Sequence, residues 1–193
     1  MLRSNRIEEG ISYTGYKNQC MEHWKIADRF ESWCCYSEIL RKIHPKLCIY
    51  SQGLAQIDKM LIFEAEDFSF SITEKKSYNA IAMGKHHTIS EFWVFGVYEF
   101  LRTLDEICSE NPSLLTTSLN EEIKELKYYF EHVRIPLAKL EPARRYINTD
   151  YPDIEPGFLV PYGTFWQVSD ALRISRRNLS DKIFSLLEKL NET

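Results

Sequence analysis

Much of the residue chemistry of this chain gathers in one stretch, HVRIPLAKLEPARRY, residues 132–146. Arg134, Lys139 and Arg144 supply cations there, and Glu131 and His132 are the acid–base candidates. Pro136 stands inside what otherwise reads as a helix. A proline in a helix interior costs about 3 kcal/mol, removes one amide hydrogen and kinks the helix. That would release the His132 carbonyl from its usual partner. A freed carbonyl with cations beside it predicts a concave anion site, in which the planar fork of Arg134 suits phosphate or carboxylate. The same residues fit a plainer pattern. Lys127, Glu131 and Arg134, and likewise Glu141 and Arg145, have helical pair spacing, so a solvated face of alternating charge accounts for them too.

A second basic group, Arg173, Arg176, Arg177 and Lys182, falls at an expected helix start, where backbone amides and the helix dipole favour anions. Should it meet the first group in space, the two would form a positive patch suited to RNA or another phosphate-bearing ligand. The total runs the other way, with a net charge of −4 and a pI near 5.8, where dedicated nucleic-acid binders are usually basic.

Metal and nucleophile signals are weak. Cys20-x-x-His23 is one half of a zinc pattern with no second half, and His87 with Glu91 is expected to straddle a helix cap. His86 and His87 read as a polar loop. The chain lacks GxSxG, SxxK, HExxH, Walker A and GxGxxG patterns. Neither a metal nor a cofactor is therefore expected. A ligand pocket lined by Trp93, Tyr98 and Trp166 is an alternative to reading those rings as core.

The elements that must hold these groups are mostly helices. From Asn18 to His44, Ile26, Phe30, Trp33 and Leu40 recur at helical spacing, and Pro45 ends the run. Leu54, Ile57 and Leu61 continue helically to about residue 64, after which FSFSI alternates with period two and predicts a strand near Phe68–Thr73, with a β-hairpin over the whole of 48–76 as the alternative. Thr88-Ile-Ser-Glu91 has the form of a capping box opening a buried central helix, in which Val94, Val97, Leu101, Leu104 and Cys108 repeat at three and four. Gly96 inside that helix predicts close packing by a neighbour. Ser118 and Glu121 form a second capping box. Behind them Ile123, Leu126, Phe130, Val133, Leu137 and Leu140 make a heptad seam, facing either the central helix or a second copy. NTDYPDIEPG (148–157) is turn chemistry, FLVPYGTFWQV (158–168) reads as two short strands, and Ser175 or Ser180 caps a last helix.

The expected fold is mainly α: a bundle of about four to five helices with a small β-hairpin element, pairing FSFSI with FLVPYGTFWQV. Residues 1–15 are read as a flexible segment and 16–193 as one domain. Five cysteines, odd in number and irregularly spaced, fit reduced core residues. With no signal-peptide run in MLRSNRIEEG and no apolar stretch long enough for a membrane span, the expected setting is cytoplasmic. The leading functional expectation is a binding or accessory protein acting as a homodimer or with another protein. The alternative is an RNA- or nucleotide-binding or processing enzyme built on the basic residues around Arg134 and Arg177.

Overall fold

The computed structural model describes the backbone of residues 23–73 and 80–193 and the side chains of residues 25–67 and 80–193. The segment 1–15, the helix start at Asn18, Cys20 and the side chain of His23 lie outside the described residues. Among the described residues five α-helices follow one another: α1 (His23–Ser37), α2 (Pro45–Thr73), α3 (Ala80–Glu110), α4 (Thr117–Lys139) and α5 (Arg176–Asn191). A three-stranded antiparallel sheet, β1 (Pro156–Leu159), β2 (Gly163–Gln167) and β3 (Arg173–Ser175), precedes α5. The protein is thus mainly helical with a small β element, as the periodicities predict.

Packing follows chain order, with α1 on α2, α2 on α3 and α3 on α4, while α5 closes the bundle against α1 and α4. The central helix α3 buries Trp93, Val94, Val97, Phe100, Leu101 and Leu104. The heptad seam of α4 points inward, with Ile123, Phe130 and Val133 fully buried and only its end, Leu140, 68% exposed. Its apolar side chains are therefore used within the single chain. Gly96 behaves as its sequence context predicts: a Cβ there would stand 2.9 Å from Leu54 Cδ2 across the α2–α3 contact.

Three local expectations are corrected. The strand expected at Phe68–Thr73 is helical, because α2 continues through it to Thr73. A helix already anchored by buried Leu54, Leu61, Ile62 and Ala65 extends over a short alternating run whose strand propensity is only a weak preference. The capping box at Thr88 is interior, since α3 begins at Ala80. The Thr88 hydroxyl donates back to the Gly84 carbonyl at 3.1 Å, the usual alternative for a threonine inside a helix. At α4 the cap is Thr116, whose Oγ1 accepts from the Leu119 amide at 3.3 Å, two residues ahead of Ser118. At α5 the cap is Ser175, as expected, accepting from the Asn178 amide at 3.0 Å.

The sheet comes entirely from residues 156–175. Phe158 pairs with Thr164 and Leu159 with Gly163, while Phe165 pairs with Ser175 across the β2–β3 register. The connection between β1 and β2 carries a cis Val160–Pro161 bond and Gly163 at φ 78°. Trp166 and Ile174, both 0% exposed, anchor the sheet on the helices. β3 is too short to give a period-two signal. Among the described residues, no helix is long and apolar enough to cross a membrane.

Candidate functional site

Lys182 of the second basic group lies over Tyr129 on α4, 4.8 Å from the ring centre. Arg176 is 1% exposed and its guanidinium faces the Asp58 carboxylate on α2, leaving it no solvent face to offer an anion. Burial pushes the Asp58 carboxyl up, but the Arg176 and Arg29 charges and the Ser180 hydroxyl outweigh it and hold it below the usual carboxylate range. Arg29 joins the network from α1, 3.3 Å from Asp58 Oδ2 and 3.0 Å from Asp181. Arg177 lies 3.1 Å from Asp181 one helical turn on, and Arg173 stacks over Phe165 while donating to Gln167 Oε1 at 3.0 Å. The second basic group is therefore mostly engaged with its own fold.

The first group is arranged differently. His132, near the end of α4, holds Asp150 through Nδ1 at 2.6 Å, and the Asp150 side chain is only 2% exposed. Asp150 is itself fixed. Its backbone amide donates to the Tyr146 carbonyl at 2.9 Å, and the Thr149 hydroxyl donates to its Oδ1 at 3.0 Å. Tyr146, on the 3-10 turn Arg144–Tyr146, stacks on the imidazole at 3.6 Å and 22°. Tyr129 meets the same ring edge-on at 6.0 Å. A carboxylate accepting from Nδ1–H fixes the neutral imidazole in one tautomer, with the lone pair on Nε2. The imidazole is thus oriented by a buried partner and clamped by an aromatic face.

Around it the cations keep solvent-facing charge. Arg144 is exposed, and Arg145 lies over the Tyr128 ring at 3.8 Å rather than pairing with Glu141. Arg134 sits over Tyr98 at 4.9 Å with Glu99 at 3.5 Å, and Lys139 is 3.8 Å from Glu141 with both side chains exposed. Glu131 accepts from the Tyr98 hydroxyl at 3.4 Å, so it is tied to that phenol. Burial first, and then the Glu131 charge, raises the Tyr98 pKa. The helix runs through Pro136 to Lys139 and stops at Leu140, φ 56°, whose amide donates to the Pro136 carbonyl at 2.9 Å. Next to Tyr129 a groove of about 400 Å³ opens between α4 and α5, lined by Glu122, Glu125, Leu126, Tyr129, Lys182 and Ser185.

The remaining candidates resolve into core. Trp93 and Trp166 are 0% exposed, and the Trp93 indole donates to the Leu54 carbonyl at 3.0 Å, so neither ring presents a free face to a ligand. His86 and His87 are helical rather than in a loop, and both contact Thr164. Among the described residues, no three His, Cys, Asp or Glu side chains group closely enough to hold a metal ion. Sequence reasoning missed Asp150 and Tyr146 as partners of His132. The one signal for them is the turn-forming run that begins at Asn148, which makes a chain reversal and so brings Asp150 back over α4.

Comparison with protein-family models, with curated proteins and with solved structures finds no match to this chain.

Proposed function

We propose that this protein binds a phosphate-bearing ligand, RNA foremost, on the face formed by α4 and the turn after it, with His132 as the acid–base group of that site. The observation that carries this reading is the 2.6 Å contact between His132 Nδ1 and buried Asp150. A carboxylate so placed orients an imidazole for proton transfer at its other nitrogen. Arg144 and Arg145 supply positive charge on the same turn as Tyr146. Phosphate contacts by arginine would make binding fall steeply with salt.

The test is fluorescence anisotropy with a labelled single-stranded RNA. Wild-type protein is expected to bind, and to weaken sharply between about 50 and 200 mM salt. Replacing Arg144 and Arg145 together with Ala is expected to weaken binding about tenfold or more and to flatten the salt slope by about two, with the melting temperature unchanged. Absence of salt-dependent binding by the wild type removes the reading. Strand scission under single-turnover conditions tests the acid–base half. His132→Ala is expected to slow it by about 10²–10⁴, and Asp150→Asn to slow it as well, because an Asn oxygen kept by the Thr149 hydroxyl turns the amide NH2 to Nδ1, which must then accept, so that the imidazole carries its hydrogen on Nε2. RNA left whole by the wild type would confine the site to binding.

A second reading, self-association or an accessory role beside another protein, has separate support. The α4 seam is internal, but Ile49 (65% exposed), Tyr50 (46%) and Phe92 (66%) leave apolar surface on α2 and α3. Light scattering after size exclusion should give a dimer that Phe92→Glu dissociates. A monomer of 22.8 kDa at high concentration would end this reading.

A further inference from the structure

The tip of the β1–β2 hairpin is fastened to the helices by a chain of hydrogen bonds through two histidines. His86 on α3 is 0% exposed, and its Nε2 lies 3.1 Å from the Leu61 carbonyl on α2. A carbonyl can only accept, so Nε2 carries the hydrogen and neutral His86 leaves Nδ1 bare. Thr164 Oγ1 of β2, 3.0 Å away, donates to that Nδ1, with Ser90 Oγ farther off at 3.4 Å. The Thr164 oxygen in turn accepts from His87 Nδ1 at 3.0 Å. The two imidazoles are thus held in opposite tautomers by one hydroxyl. Phe158 of β1 meets both rings edge-on, at 5.2 and 6.0 Å. Gly163 brings the hairpin backbone close enough that a Cβ would stand 2.9 Å from His86 Cε1.

We propose that this contact is an acid-sensitive latch: protonation of His86 releases the β1–β2 tip from the α2–α3 groove while the helical bundle stays folded. A proton on Nδ1 would point at a hydroxyl that already accepts from His87 and would leave the Thr164 hydrogen without its acceptor. The new charge would lie in a site closed by Phe158, Ala65 and Leu61. The charged and titratable groups that act on His86 are Glu64 on α2, His87 on α3 and Arg176 on α5. Glu64, paired through one oxygen with Lys85 at 2.7 Å, favours a charged His86, while burial and the Arg176 charge oppose it. Burial, above all, depresses the His86 pKa to about 4, and burial lowers that of His87 as well. Lifting the tip returns His86 to water, where its ordinary value near 6.5 applies. The released state therefore takes up a proton as pH falls below about 6.5, and the docked state does so only near pH 4.

Hydrogen exchange read by mass spectrometry on the intact chain, corrected for the intrinsic effect of pH, tests this. Between pH 7 and pH 5, protection of peptides within 156–167 is expected to fall by roughly twentyfold, while that of 117–139 holds. His86→Asn is expected to abolish the difference between the two pH values, and His87→Ala to keep it. Equal loss of protection in the hairpin and in α4, unchanged hairpin protection at pH 5, or an acid response that persists in His86→Asn would each overturn the latch. The wild-type comparison of the two segments decides the matter even where the Asn variant does not fold. RNA binding does not enter this measurement, so its outcome is independent of the reading of the His132 face.

Discussion

Asp58→Ala is expected to cost about 3–5 kcal/mol, the range found when one partner of a buried ion pair is removed. Asp58 and Arg176 are 2% and 1% exposed, and they join α2 to the first turn of α5 across 118 positions of sequence. Taking the carboxylate away strands a guanidinium that has no water to turn to. Arg29 would lose less, because Asp181 remains 3.0 Å from it. The pair itself need not favour the fold over an apolar one, since desolvating two charges offsets most of their attraction. The double replacement Asp58→Leu with Arg176→Met is therefore expected to recover most of the loss, a non-additivity of about 2 kcal/mol or more that marks direct coupling. Urea denaturation of Asp58→Leu and Arg176→Met singly and together measures the coupling, and that of Asp58→Ala measures the first loss. A loss below about 1 kcal/mol for Asp58→Ala would show that the charge is not buried in solution.

This network also shows where sequence reading stops. The helices α3 and α4 are legible because their burial is local and periodic. Val94, Val97, Leu101, Leu104 and Cys108 on one, and Ile123, Leu126, Phe130 and Val133 on the other, all fall in the core. Arg176 reads as a surface cation for want of any local sign of its partner. Its neighbours Arg173 and Arg177 look the same in sequence, and only the placement of Asp58 sets it apart. The His132 site is half visible. The histidine and the cations stand together in one stretch, but Asp150 comes 18 residues later, in a run whose composition announces a turn and not the direction of any side chain. The strand expected at FSFSI fails for the opposite reason, because a local alternation is real but weaker than the helix extending into it. Thr88-x-x-Glu91 has the spacing of a cap while lying eight residues inside α3, since spacing alone does not say whether the preceding turn, AIAMGKHH, is helical.

Gly163→Ala is expected to destabilise the protein by about 3 kcal/mol, from two sources that add at one atom. The residue sits at φ 78°, where an L side chain costs about 1–2 kcal/mol. Its new Cβ would also press on the His86 ring at 2.9 Å and 3.2 Å and touch Ala65 Cβ at 3.4 Å. A flexible side chain would swing aside. This imidazole cannot, because Thr164 holds one nitrogen and the Leu61 carbonyl the other, so moving the ring breaks a buried hydrogen bond. Gly53 gives the contrast within the same fold. It lies in α2, and a methyl added there would meet nothing within 4 Å, so Gly53→Ala is expected to stabilise by about 0.5–1 kcal/mol through helix propensity alone. Thermal denaturation of the two variants should shift in opposite directions. A Gly163→Ala protein within about 0.5 kcal/mol of wild type would mean that the hairpin does not press on His86. The hydrogen-bond chain from Leu61 to His87 would then not be what fastens the sheet to the bundle.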